Sequence, residues 1–179
     1  MLKIFTTQLS GVFTSILEKQ KYEIEDGARL LSQAIVSGGN LYIYGTDEML
    51  AITSEATRGA EPLRHGITLH DPTDLDTISS IDRVLLVTRS PTNEQALLLA
   101  KELREKGIPF VSVTTSVNNA NEDSIVDLSD IHIEIPLKKG LVPTDDGSRI
   151  GLPFSMVALY VYYGLKFSID EIIGEFDED

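Results

Sequence analysis

Two short apolar runs, each ending in a hydroxyl-rich loop, constrain this chain more than any other feature. Arg83-Val-Leu-Leu-Val-Thr88 and Pro109-Phe-Val-Ser-Val-Thr114 are almost continuously apolar. Strands of that kind are buried on both faces, as in the centre of a parallel sheet. Residues 92–106 between them have helical spacing, with Thr92 as the expected cap, Glu94 in the first turn and Gly107 after the last. Strand, helix and strand in that order form a parallel crossover unit.

The flanking segments extend the pattern. Residues 4–37 read as two helices, from Ile4, Leu9, Val12 and Ile16 and then from Ile24, Ala28, Leu31 and Ile35, with Gly38-Gly39 as the stop. Asn40-Leu-Tyr-Ile-Tyr-Gly45 reads as a strand, and Asp47 as the N-cap of a helix over about 48–58. Gly66–His70 and Ile131–Ile135 are further strands, and 73–81 is a loop or short helix. A polar stretch, Asn118–Asp123, bridges to a short turn. Residues 137–152 form a long loop, Pro153–Lys166 an apolar helix, and 175–179 an acidic, fraying tail. The expectation is an α/β, three-layer α/β/α sandwich with a five-stranded parallel sheet, preceded by two N-terminal helices. The 179 residues suit one domain, with a helical segment 1–37, a core sheet 38–136, the loop 137–152 and a closing segment 153–179.

Composition narrows the function. A net charge of −13 without a basic stripe speaks against nucleic acid and acidic membranes as partners. Polar residues interrupt the first apolar run, and the longest run is too short to span a bilayer. The absence of cysteine excludes disulfides and thiolate chemistry and fits a reducing cytoplasm. Three scattered histidines (65, 70 and 132) speak against a metal site, and no cofactor is expected. No Gly-x-Gly-x-x-Gly follows the first strand and no P-loop lysine motif occurs.

In parallel α/β sheets ligands bind at the carboxyl ends of strands. Three loops lie there: Gly45-Thr46-Asp47-Glu48, Thr88-Arg89-Ser90-Pro91-Thr92-Asn93 and Thr114-Thr115-Ser116. The second joins three hydroxyls and an amide to a helix start, whose free N–H groups and dipole suit a phosphate or carboxylate. Arg89 adds a positive charge. The plainer alternative keeps Thr92 as a cap, Ser90-Pro91 as a turn and Arg89 as a solvated side chain. In the first loop two carboxylates would repel an anion. They suit sugar hydroxyls, an amine or a metal-bound ligand, or serve only the helix start, Asp47 as N-cap and Glu48 beside the dipole.

The segments Asp82–Glu94, Ala100–Thr115, Gly38–Gly45 and Ser124–Pro136 together resemble a SIS (sugar isomerase) domain, over about residues 20–166. Its flavodoxin-like or Rossmann-like fold agrees with the pattern above, and the small size is most similar to the phosphoheptose isomerase type, in an uncharacterised bacterial subfamily. The resemblance implies a small phosphorylated sugar or metabolite, its phosphate held by Thr88, Ser90, Thr92 and Asn93. Pro91 replaces the usual glycine and removes one N–H. Gly45, Thr46, Thr114 and Thr115 of the strand-end loops are then candidate neighbours of the ligand, and the polar groups of the long loop make Arg149, ahead of Lys138 and Lys139, a candidate partner of a phosphate in this or a neighbouring subunit. It also points to Glu55 as an acid/base. The family's partner histidine has no counterpart on the last helix, and His65 is the candidate substitute. SIS domains pair, so a homodimer or homotetramer is expected, with Met156, Leu159, Tyr160 and Tyr163 as an interface or as core. Three readings follow: a phosphosugar sensor or degenerate isomerase, an active aldose–ketose phosphate isomerase, or a non-catalytic interaction module on the same fold.

Overall fold

Alternating residues of each central strand enter two different hydrophobic clusters, and this divides the molecule into layers. The computed structural model describes residues 1–73, 75–116 and 123–177. Its helices are α1 (Leu2–Lys19), α2 (Lys21–Val36), α3 (Leu50–Arg58), α4 (Glu94–Lys106), α5 (Ile125–Leu128) and α6 (Phe154–Asp177). Its strands are β1 (Leu41–Gly45), β2 (Gly66–Thr68), β3 (Arg83–Val87), β4 (Phe110–Thr114), β5 (Ile131–Glu134), β6 (Val142–Pro143) and β7 (Arg149–Ile150). The first five strands form one parallel sheet in the order β2-β1-β3-β4-β5. Leu41, Ile43, Leu85, Val87 and Val111 face α1, α2, α3 and α6. Tyr42, Tyr44, Val84, Leu86 and Phe110 face α4, α5 and the 69–78 segment. The protein is therefore an α/β/α sandwich with a five-stranded parallel sheet.

α2 packs most extensively on α6. Gly27 makes this possible, because a Cβ there would lie 3.2 Å from Leu165 Cδ2. α1 is held more loosely, and only Leu9 and Ile16 of it are buried.

Several local expectations need correction. Asn93, not Thr92, caps α4: its side-chain oxygen accepts from Ala96 N at 3.1 Å. Asp47 caps nothing. It opens a 3₁₀ turn, Asp47–Met49, with φ +49°, and α3 begins at Leu50. β2 ends at Thr68, two residues short of His70. The 137–152 loop contains the antiparallel β6–β7 hairpin. The last helix continues past Lys166 to Asp177, because Ile169 and Ile173 keep its apolar stripe and Lys166 pairs with Asp170 at 2.6 Å. The acidic tail is thus helical up to Asp177, and residues 178–179 lie outside the described residues, as do 118–122 of the polar stretch.

Candidate functional site

The strand order reverses between β1 and β3: the chain moves from β1 outward to β2, then returns to β3 on the other side. A reversal of this kind opens a crevice at the carboxyl ends of the two strands. Gly45 closes β1 there. A Cβ at this position would lie 2.6 Å from Met49 O, so only glycine permits the tight turn that follows. Thr46 extends the sheet, donating its N–H to Val87 O at 3.2 Å. Its hydroxyl donates to Thr88 Oγ1 at 2.9 Å, and both threonines are buried. The β3 loop is fixed from its other side by β4. Thr114 and Thr115 both donate their hydroxyls to Arg89 O, at 3.3 and 3.0 Å. The structure thus brings together Gly45, Thr46, Thr88, Arg89, Thr114 and Thr115.

The turn into α4 carries the remaining hydroxyls. Ser90 Oγ and Thr92 Oγ1 are 3.1 Å apart, and Thr92 N donates to Ser90 Oγ at 3.3 Å. Both side chains are part-exposed, and these contacts are long enough to give way to a stronger acceptor such as phosphate. Asn93 lies in the same turn, but its amide oxygen is used in the helix cap. The Arg89 side chain reaches from the β3 loop to the turn after β1 and to the start of α6. Its Nη1 lies 3.2 Å from Glu48 Oε1, and its guanidinium carbon lies 6.0 Å from the centre of the Phe154 ring.

Three expected residues are placed elsewhere. His65 precedes β2, at the amino end of the sheet, with Nδ1 2.8 Å from Gly39 O and φ +60°. The length of the strands separates it from the crevice. Arg149 is used within its own hairpin, donating Nε to Gly140 O at 2.6 Å and Nη2 to Leu141 O at 2.9 Å. Glu55 lies on the flank of α3 and accepts from the Tyr163 hydroxyl of α6 at 2.8 Å. That hydrogen bond, together with burial and the charges of Glu55 and Glu61, raises the Tyr163 pKa. Beside it Tyr162 is buried, its hydroxyl without a partner among the described residues, and burial more than the nearby Glu55 raises its pKa too. Sequence reading does not find the Glu55–Tyr163 pair, although each of the two residues stands out by itself.

Two other polar clusters support the sheet. Asp82 staples the amino ends of β1 and β3, accepting from Asn40 N, Ser79 N and Ser79 Oγ, each at 2.7 Å. On β4 and β5, Ser112 Oγ lies 3.0 Å from His132 Nδ1 and donates to Ser129 Oγ at 2.9 Å. His132 Nε2 is buried without a partner among the described residues, and burial lowers the imidazole pKa against the opposing influence of Glu134 and Ser112.

A groove of about 410 Å³ lies away from the crevice, where Leu17, Ile24, Tyr160, Tyr163 and Phe167 line it between α1, α2 and α6. Its walls are mainly apolar, with Lys21, Glu25 and Ser168 among them, whereas the clustered hydroxyls are at the strand ends. Among the described residues, no group of three or more His, Asp or Glu is arranged to hold a metal ion, and no helix is long and apolar enough to cross a membrane.

A family model described as a domain of unknown function, DUF2529, matches residues 1–173. The uncharacterized protein YwjG of Bacillus subtilis (strain 168) is 42% identical over 176 residues, covering 98% of this chain and 99% of that protein. Among solved structures, c3406 of E. coli CFT073, in complex with a phosphosugar, superposes with a TM-score of 0.69 at 17% identity, over 97% of this chain and 89% of that one. Phosphoheptose isomerase GmhA from Neisseria gonorrhoeae superposes with a TM-score of 0.67 at 10% identity, over 92% and 94%. At such identities the two structures establish a shared fold, that of the sugar isomerase proteins.

Proposed function

The chain belongs to the DUF2529 family, and on that premise we propose that it binds a small phosphorylated sugar at the β1–β3 crevice without isomerising it. The observation that carries the reading is the Ser90-Pro91-Thr92 turn. It sets two part-exposed hydroxyls at the start of a thirteen-residue helix, beside the switch in strand order. The phosphosugar complex of c3406 supports it, because that protein has the same fold and accepts such a ligand.

Binding without turnover follows from the acid/base candidates. Isomerisation needs a group that exchanges a proton near neutral pH. Tyr163 occupies the last helix, where the resemblance calls for a histidine. Its hydroxyl is committed to Glu55 at 2.8 Å, and that bond raises the pKa of a group already protonated at neutral pH, so it is a poor proton shuttle. His65 is at the wrong end of the sheet. The exposed apolar side chains Leu17, Met156 and Phe167, on α1 and α6, favour assembly of two or four copies. The lack of cysteine accords with a cytoplasmic setting.

A thermal-shift panel of sugar phosphates, amino-sugar phosphates and nucleotides tests the reading. A ligand at about 100 times its Kd adds about 2.7 kcal/mol of stability. The expected outcome is a shift with a sugar phosphate that Ser90→Ala abolishes, and no turnover of that ligand. Turnover abolished by Glu55→Gln would replace this reading with an isomerase. No shift with any compound would replace it with an interaction module.

A further inference from the structure

The phosphate turn leaves Glu48 without a task. Glu48 stands across the crevice from that turn, with Oε1 3.2 Å from Arg89 Nη1. A carboxylate beside a phosphate site weakens phosphate binding unless a cation offsets it. In the free chain Arg89 is that cation. One guanidinium does not neutralise both Glu48 and an incoming dianion. The neighbouring Asp47 is exposed and makes no ion pair among the described residues, so Glu48 is the carboxylate set against Arg89.

Resting on the phosphosugar reading, we propose that Glu48 selects ligands that carry an ammonium group beside their phosphate, that is, phosphorylated amino sugars. The ammonium replaces Arg89 as the partner of Glu48 and frees Arg89 for the phosphate. A sugar with a neutral hydroxyl at that place leaves a carboxylate uncompensated next to two phosphate charges. An N-acetylated sugar does the same, since its nitrogen is uncharged. The Glu48–Arg89 pair thus works by exchange: each member keeps an opposite charge in both states only when the ligand supplies both signs.

Isothermal titration of the full chain with glucosamine 6-phosphate and glucose 6-phosphate tests this. The wild type is expected to bind the amine at least about tenfold more tightly, the size of a charge-assisted hydrogen bond. Glu48→Gln is expected to abolish that ratio. The Glu48 side chain is 35% exposed, so the variant should retain the wild-type melting temperature without ligand. Asp47→Asn removes the same charge one residue earlier, and asparagine tolerates the φ of +49° there. It is expected to keep the ratio. Ser90→Ala should weaken both ligands in parallel. Equal affinities in the wild type, a ratio that survives Glu48→Gln, or a ratio that Asp47→Asn removes equally well each overturn the assignment and leave the phosphosugar reading standing. Failure of both compounds, and of every other sugar phosphate, overturns both.

Discussion

Replacing Asp82 by alanine should cost about 3 kcal/mol and loosen the crevice from its far end. The carboxylate is 3% exposed and takes three donors at 2.7 Å. It sits immediately before the first paired residues of β1 and β3, Leu41 and Arg83. The staple therefore sets the register of the two strands whose other ends form the site. A hydrogen bond to a charged acceptor contributes about 1.5–3 kcal/mol. Asn40 N is half-buried and loses most of that value. Ser79 is exposed, so water takes over much of its two bonds. The sum is about 3 kcal/mol, which for a chain of this length lowers Tm by about 6–12 °C. The loss must also depend on pH. Burial raises the Asp82 pKa, but the Asn40 and Ser79 donors and the Arg83 charge outweigh it, and the carboxyl lies below its ordinary value. A depressed carboxyl stabilises the fold above the unfolded-state pKa of about 3.9, and that contribution disappears as pH falls through the folded value. Urea unfolding followed by circular dichroism, at pH 7 and in steps below pH 4, reads both effects. A loss under about 1 kcal/mol at pH 7, or a gap between wild type and variant that stays constant into acid, would refute the reasoning.

Two further outcomes are expected. His132 is held below the usual imidazole pKa by burial, so its neutral form is favoured on folding. Stability is lost as pH falls below about 6.5, and His132→Asn should flatten the melting profile between about pH 7 and 5. Thr88→Val keeps the shape of the β3 end but strips the buried Thr46 hydroxyl of its acceptor. It should cost about 1–2 kcal/mol in thermal unfolding, with sugar-phosphate binding weakened at the same time.

The strands are legible where burial on both faces writes itself as an almost continuous apolar run, as in Val84–Val87 and, broken only by Ser112, in Phe110–Val113. The crevice is legible for a related reason: a parallel sheet fixes which strand ends carry loops, so Thr46, Thr88 and Thr114 follow from the strand assignments. What escapes depends on contacts between distant segments. Glu55 and Tyr163 are 108 residues apart and meet only because α3 and α6 cover the same face of the sheet. Arg149 reads as a free cation until the hairpin folds its guanidinium onto Gly140 and Leu141. The end of α6 is hidden by Lys166, whose charge suggests a boundary, whereas the helix buries its stem and pairs its ammonium one turn on. Thr92 and Asn93 are both good caps, and only the backbone decides between neighbours.

The pairing of α2 with α6 bears on how the chain matures. The loops of the crevice come from residues 45–116, yet the layer behind them is completed only by a helix that begins at Phe154. A ribosome presents the crevice segments first. Until α6 emerges, Leu31, Leu85, Val111 and Ile133 lack the cover that Val157, Val161 and Leu165 provide. Any nascent or truncated chain that stops before Phe154 thus offers a sticky parallel sheet to chaperones or to other chains, whatever the state of its ligand loops. The layer behind the crevice is complete only when the final helix has packed against it.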